Sequence, residues 1–306
     1  LWESAAVSVT PVGRVIVRTG SSSHGQGHET TFAQIAAEVL RVKLSDVTVQ
    51  HGDSAIVPRG VGTFGSRSTT IGGSALLVTL EKIKTKASMI GAHLLEAAAG
   101  DVEWDGDGLH VRGAPQRRVT LRDVAAAAYQ PGRLPRSIEM GLQATGVFAL
   151  PGPVFPFGAY AAVVEIDADT GAVRVLNLAA VDDVGRVINP LLAEGQVIGA
   201  TVQGLGQAFA EFVVYSEDGQ QLTASFADYA LLRAGDVPTV HSEFLETPSP
   251  LNPLGAKGIG EAGTIAAPAA VANAVMDALS PLGVRHVDFP FTPTRIWELI
   301  RREKRT

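Results

Sequence analysis

A chain of 306 residues with 46% hydrophobic and 18% charged residues has the composition of a folded protein and is long enough to bury more than one core. Its formal net charge of −6 offers no general attraction to nucleic acid or to an anionic membrane. The lack of cysteine excludes disulfides, thiolate zinc sites and any iron–sulfur cluster ligated by this chain alone, and no apolar run reads as a membrane span.

The chain opens on a hairpin over residues 1–19, alternating strand, PVG turn, alternating strand, without an initiator Met or a signal peptide, as expected of a piece of something longer. TTFAQIAAEVLR places Phe32, Ile35, Ala36 and Val39 on one helical face, and VTVQHGD at 47–53 returns as a strand. A Gly/Pro/Ser-rich loop at 54–67 leads into a long helix from about Thr69 to Ala99, with small residues near its start for close packing. DVEWDGDGLHVRG is a hairpin around DGDG and LRDVAAAAYQ a helix.

The proline- and glycine-rich stretch 131–158 reads as a linker between a first lobe, 1–130, and a second, 159–306. The second lobe begins with two strands around DADTG. A helix follows with Pro190 in its first turn, then strands around SEDGQQ, HSEFLET, a helix to about Leu279, and a final strand and helix. RREKRT at the end reads as a solvated tail. This mixture of helices and short hairpins predicts an α+β fold of two lobes.

Gly258, Gly260 and Gly263 fit G-x-G-x-x-G, as does GVGTFG at 60–65. Neither follows a buried strand, because the preceding TPSPLNPLGA and DSAIVPR carry prolines that cannot donate to a central ladder. A nucleotide-dependent dehydrogenase would need that strand. Four glycine-flanked polar stretches stand out instead: SSSHGQGHET at 21–30, GTFGSRST at 62–69, DDVGRVINP at 182–190 with EGQ at 194–196, and LGAKGIGEAG at 254–263. Each sets backbone N–H groups beside Gln, Ser, Arg, Asn or Lys, which suits a polar, phosphate-bearing ligand.

Each member has a plain alternative. His24 and His28 have metal-pair spacing, but glycines between them favour a loop. Arg67 fits a surface position, Asp182 and Asp183 a turn, Asn189 an N-cap, and Gln26 and Gln196 exposed loops. Glu261, set among Gly, Ala and Ile, is expected to be partly desolvated, which suits a carboxylate to take a proton near neutral pH. Alternatively it only stabilises the positive end of the helix that follows. Lys257 fits an ion-pair partner or a phosphate contact.

Taken in order, GQGHETT, GTFGSRST, DDVGRVINP, EGQ and GAKGIGEAG resemble the C-terminal molybdenum-binding half of the large subunit of the xanthine oxidase and aldehyde oxidase family. The branch they look most like includes bacterial aerobic carbon monoxide dehydrogenase large chains, and the resemblance extends to the terminal FTPTRIWELI. It implies an α+β fold and a molybdopterin cofactor, usually the cytosine dinucleotide. It also implies that Gln26, Gly27 and His28 meet the pterin or its phosphates and that Gly65, Ser66, Arg67 and Ser68 meet the dinucleotide. Asn189, Gln196, Lys257 and Gly258 would be further cofactor contacts, with no metal ligand among these side chains. Glu261 matches the family's catalytic base, and the implied reaction is oxidative hydroxylation of a small molecule with water as the oxygen source.

Further implied are partners: the N-terminal part of the large subunit, an iron–sulfur subunit and an FAD subunit, in a cytoplasmic hetero-oligomer. Where the carbon monoxide enzymes carry a cysteine in DDVGRVINP this chain has Val184, and GIGEAG departs from their glutamate motif. An aldehyde, N-heterocycle or related substrate is therefore expected ahead of carbon monoxide. A cofactor-free fragment that serves only as an assembly or docking domain is the contrasting reading.

Overall fold

The computed structural model describes residues 1–57 and 59–303. They form two compact units, one of the described residues within 1–154 with 186–189 and 248–258, the other of residues 155–185, 190–247 and 259–303. The expected α+β class is what the structure has: small sheets with helices packed on them.

In the first unit the opening hairpin is β1 (Trp2–Val9) and β2 (Val15–Thr19). α1 (His28–Leu40) follows, then β3 (Val47–Gln50), parallel to β2. The small residues expected to start a long helix are wound as a π-helix over Ser68–Gly73, continuing as α2 (Ser74–Leu94). A second sheet comprises β4 (Val102–Asp105), β5 (Gly108–Val111) and β6 (Ala114–Thr120), one strand more than the expected hairpin. α3 (Leu121–Ala128) begins at a capping box in which Thr120 and Asp123 satisfy each other's backbone N–H.

The stretch expected as a linker instead contains β7 (Leu142–Ala149), paired antiparallel along the whole of β1 and completing the order β3-β2-β1-β7. Its partner lies over a hundred residues earlier, which outweighs the local proline and glycine signal. Ala5, Val7 and Val9 of β1 join Phe32, Leu40, Leu76, Leu80, Ile83, Ile90 and Leu142 in the core of this unit.

In the second unit β8 (Phe157–Ile166) and β9 (Val173–Asp183) form the expected hairpin around DADTG, and β10 (Thr239–Leu245) adds parallel to β9. The strands expected around SEDGQQ are absent among the described residues apart from a single bridge, Tyr215 to Gln221. The expected final strand near 284–288 is likewise not formed. α4 (Pro190–Phe209) and α5 (Ala262–Leu279) pack on one another, and α6 (Pro293–Glu303) ends the described chain. α6 takes in the first three residues of RREKRT, and Lys304, Arg305 and Thr306 lie outside the described residues.

By length and composition Ala262–Leu282 meets the requirement for a membrane span, contrary to the sequence reading. Ala267, Val271, Val275 and Leu279, at a four-residue spacing, instead make a buried stripe that joins Leu178, Val197 and Leu205 in the core of this unit.

Candidate cofactor site

Three of the polar stretches meet around the π-helix of the first unit. A Cβ on Gly72 would overlap the Ser21 hydroxyl, and one on Gly73 would lie 2.7 Å from the Leu254 side chain. A Cβ on Gly258 would overlap the Ser66 carbonyl, so backbone lies directly on backbone where 254–258 crosses 65–66. The crossing segment is held by Asn252, whose side-chain amide donates to the Ala256 carbonyl (2.8 Å) and accepts from the Ala256 N–H (3.2 Å). Residues 186–189 complete the group. Arg186 N–H donates to the Gly255 carbonyl (3.0 Å), and the Asn189 amide donates to Gln34 of α1 (3.0 Å).

Arg67 turns inward, against the surface reading. It is 3% exposed, and its guanidinium donates to Glu3 (3.1 Å) and to the carbonyls of Gly62 and Trp2. Burying a guanidinium requires such partners, and its Nε is buried without one. Ser68 hydrogen-bonds the Thr63 hydroxyl at 2.8 Å, closing the loop on itself.

His28 and His24 do not share a setting. His28 is the first residue of α1, buried and stacked on Phe32 with ring centroids 5.5 Å apart. Burial, and secondarily the nearby His51, hold its imidazole below the ordinary histidine value. His24 is exposed, and Gln26 folds onto it, accepting from its N–H (2.6 Å) and meeting its Nδ1 (2.9 Å). Gly27, between them, has φ +74° and turns the chain into the helix.

The second unit holds Gln196 and Glu261. A Cβ on Gly263 would lie 2.5 Å from the Thr201 nitrogen and 2.7 Å from the Val197 carbonyl, so the first turn of α5 rests on α4 one residue beyond Gln196. Glu261 occupies the N-cap position, yet its carboxylate makes no capping bond to the helix. Its place at the positive end of α5 leaves the charge–dipole alternative open. Glu261 is exposed, so the expected desolvation is not provided by the neighbouring residues of this chain. Beneath the sheet, Asp182 is 1% exposed and accepts from the Tyr160 hydroxyl (2.8 Å). Burial raises both acids above their ordinary values, and their hydrogen bond raises the tyrosine further.

The first unit has the features that a large polar cofactor requires. Ser21 Oγ, His28 Nδ1 and Arg67 Nε are buried polar atoms without a protein partner here, as are Gln50 Oε1 and His110 Nδ1 elsewhere in the unit, and such atoms are normally satisfied by water, an ion or a bound group. The crossing at Gly258 leaves no space for any side chain. Glu3, Ser21 and Asn252 were not singled out from the sequence, although Glu3 carried a signal: it stands in phase with Ala5, Val7 and Val9, where a carboxylate must find a buried partner.

Residues 1–238 match the molybdopterin cofactor-binding domain family. The chain is 40% identical over 98% of its length to the carbon monoxide dehydrogenase large chain of Afipia carboxidovorans, of which it spans 37%. It is 38% identical over 96% of its length to the nicotine 6-hydroxylase large subunit of Paenarthrobacter nicotinovorans, of which it spans 36%. Quinoline 2-oxidoreductase from Pseudomonas putida 86 superposes with a TM-score of 0.92 at 41% identity, covering 98% of this chain and 38% of that one. With the family match over most of its length and the fold in agreement, the chain belongs to the molybdopterin cofactor-binding domain family.

Proposed function

We propose that this chain is the cofactor-holding portion of a molybdenum hydroxylase large subunit that oxidises a small organic molecule, an aldehyde, an N-heterocycle or a relative of these, with water as the oxygen source. The observation that carries the reading is the meeting of glycine-rich stretches around the π-helix, with buried unpartnered atoms on Ser21 and His28. Gln26, Gly27 and His28 would contact the pterin or its phosphates, Gly65, Ser66, Arg67 and Ser68 a cytosine dinucleotide, and Asn189, Gln196, Lys257 and Gly258 the rest of the cofactor. When bound, the molybdenum group supplies a two-electron redox centre. Glu261, exposed at the start of α5, accepts a proton from the water-derived nucleophile.

The assembly proposed is cytoplasmic, with the remainder of the large subunit, an iron–sulfur subunit and an FAD subunit. The nicotine and quinoline enzymes among its relatives support an N-heterocyclic substrate. Carbon monoxide oxidation is the second reading, favoured by 40% identity to a carbon monoxide dehydrogenase large chain.

Metal analysis, released pterin and released nucleotide, measured on the chain alone and on the complex with its partner chains, test this. About one molybdenum per chain in the complex is expected, with cytidine monophosphate on hydrolysis, and Glu261→Gln is expected to lower kcat about 10²- to 10⁴-fold with metal content unchanged. No molybdenum in either preparation would establish the docking reading instead.

A further inference from the structure

Glu3 lies at the start of β1, fully buried, at a position that β-strand alternation reserves for the core. Its carboxylate is shared among partners that mostly belong to one loop. Oε1 accepts from Ser4 N–H at 2.9 Å, and both oxygens accept from Val61 N–H at 3.2 and 3.3 Å. Oε2 also accepts from Gly62 N–H at 3.3 Å and from the Arg67 guanidinium at 3.1 Å. The neighbouring Ser4 hydroxyl donates to the Arg59 carbonyl at 2.6 Å. Arg67 completes the ring by donating to the Gly62 and Trp2 carbonyls. Both ends of the 59–67 segment are thus fastened to the first residues of β1, while Ser66 between them presents the backbone that Gly258 packs on.

We propose that Glu3 is a positioning residue for the cofactor: acting through Val61, Gly62 and Arg67, it fixes the 59–68 loop before the cofactor arrives. This rests on the reading above that the loop meets the dinucleotide. A loop carrying residues at positive φ (Gly62 at +105°, Gly65 at +57°, Ser66 at +51°) would otherwise sample many conformations, and holding one in advance removes the ordering cost from binding. The carboxylate suits this role because its two oxygens offer about four acceptor sites against two on a neutral amide oxygen, and its hydrogen bonds are charge-assisted.

The test uses the full chain for hydrogen exchange and the assembled complex for cofactor content. In Glu3→Gln the amides of Val61 and Gly62 are expected to exchange at least about tenfold faster, while those of β2 and α2 stay unchanged, and molybdenum and pterin per complex fall. Because an unpaired buried Arg67 endangers folding, the double variant Glu3→Met/Arg67→Met is the second probe. An apolar pair leaves no buried charge unpaired, so it is expected to remain folded and still show fast exchange at 61–62 with reduced cofactor content. Unchanged exchange at 61–62 in a folded variant would overturn the positioning role whatever the metal content. Fast exchange with full metal content would leave the loop anchored by Glu3 but overturn the assignment of the 59–68 loop to the cofactor.

Discussion

His28 shows how one buried group converts into a measurable pH dependence. Its imidazole is held below the ordinary value by burial first and by His51 second, against the opposing pull of Glu29, with His24 also nearby. A histidine depressed in the folded state disfavours the proton there, so its contribution is intact above about pH 6.5 and is lost as pH falls from there through the folded value. Urea midpoints should therefore drop between pH 7.5 and pH 5, and His28→Gln should flatten that slope while His24→Gln leaves it in place. A slope equal in wild type and His28→Gln would place its origin outside His28. Which polar residues stand in loops was legible from the glycines around them. Their direction was not, because the inward turn of Arg67 depends on Glu3, sixty-four positions away.

At the scale of elements, the clearest lesson is the contact of α5 on α4. A methyl group on Gly263 would meet backbone atoms of Val197 and Thr201 that cannot rotate away. Gly263→Ala is expected to destabilise by about 1–3 kcal/mol, despite the helix propensity gained, and to shift the turn that carries Glu261. Gly199 of α4 has open space around it, so Gly199→Ala is expected to stabilise by about 0.5–1 kcal/mol. Denaturant unfolding of the two variants should move in opposite directions, and a loss in both would contradict the packing argument. Helices α1, α4, α5 and α6 were readable from periodicity because each carries its own apolar stripe. β7 was hidden by prolines and glycines on its flanks. The SEDGQQ turn suggested a hairpin whose flanks, with Phe212, Val213 and Leu222 exposed, find no sheet to join.

At the scale of the molecule, stability resides in two cores that share no residue. Leu80→Ala in the first and Leu205→Ala in the second each remove a fully buried side chain, and each is expected to cost about 2–5 kcal/mol, measured by urea unfolding of the single variants. A cost below about 1 kcal/mol for either would mean that its site collapses around the deletion. The division into units departs from the lobes read along the chain. Residues 186–189 and 248–258 belong with the first 154, and the stretch expected to link two lobes supplies an edge strand.

By itself the sequence determined the class of fold, most of its helices and hairpins, and the polar, glycine-rich character of the segments proposed to hold the cofactor. Composition, periodicity and turn chemistry are local properties, and local properties are written in order along the chain. Only the tertiary structure decided that Gly258 lies on Ser66, that Arg67 faces Glu3 and that β7 pairs with β1. These contacts join residues far apart in sequence, and they form because buried polar groups and strand edges must be satisfied by whatever the fold brings beside them.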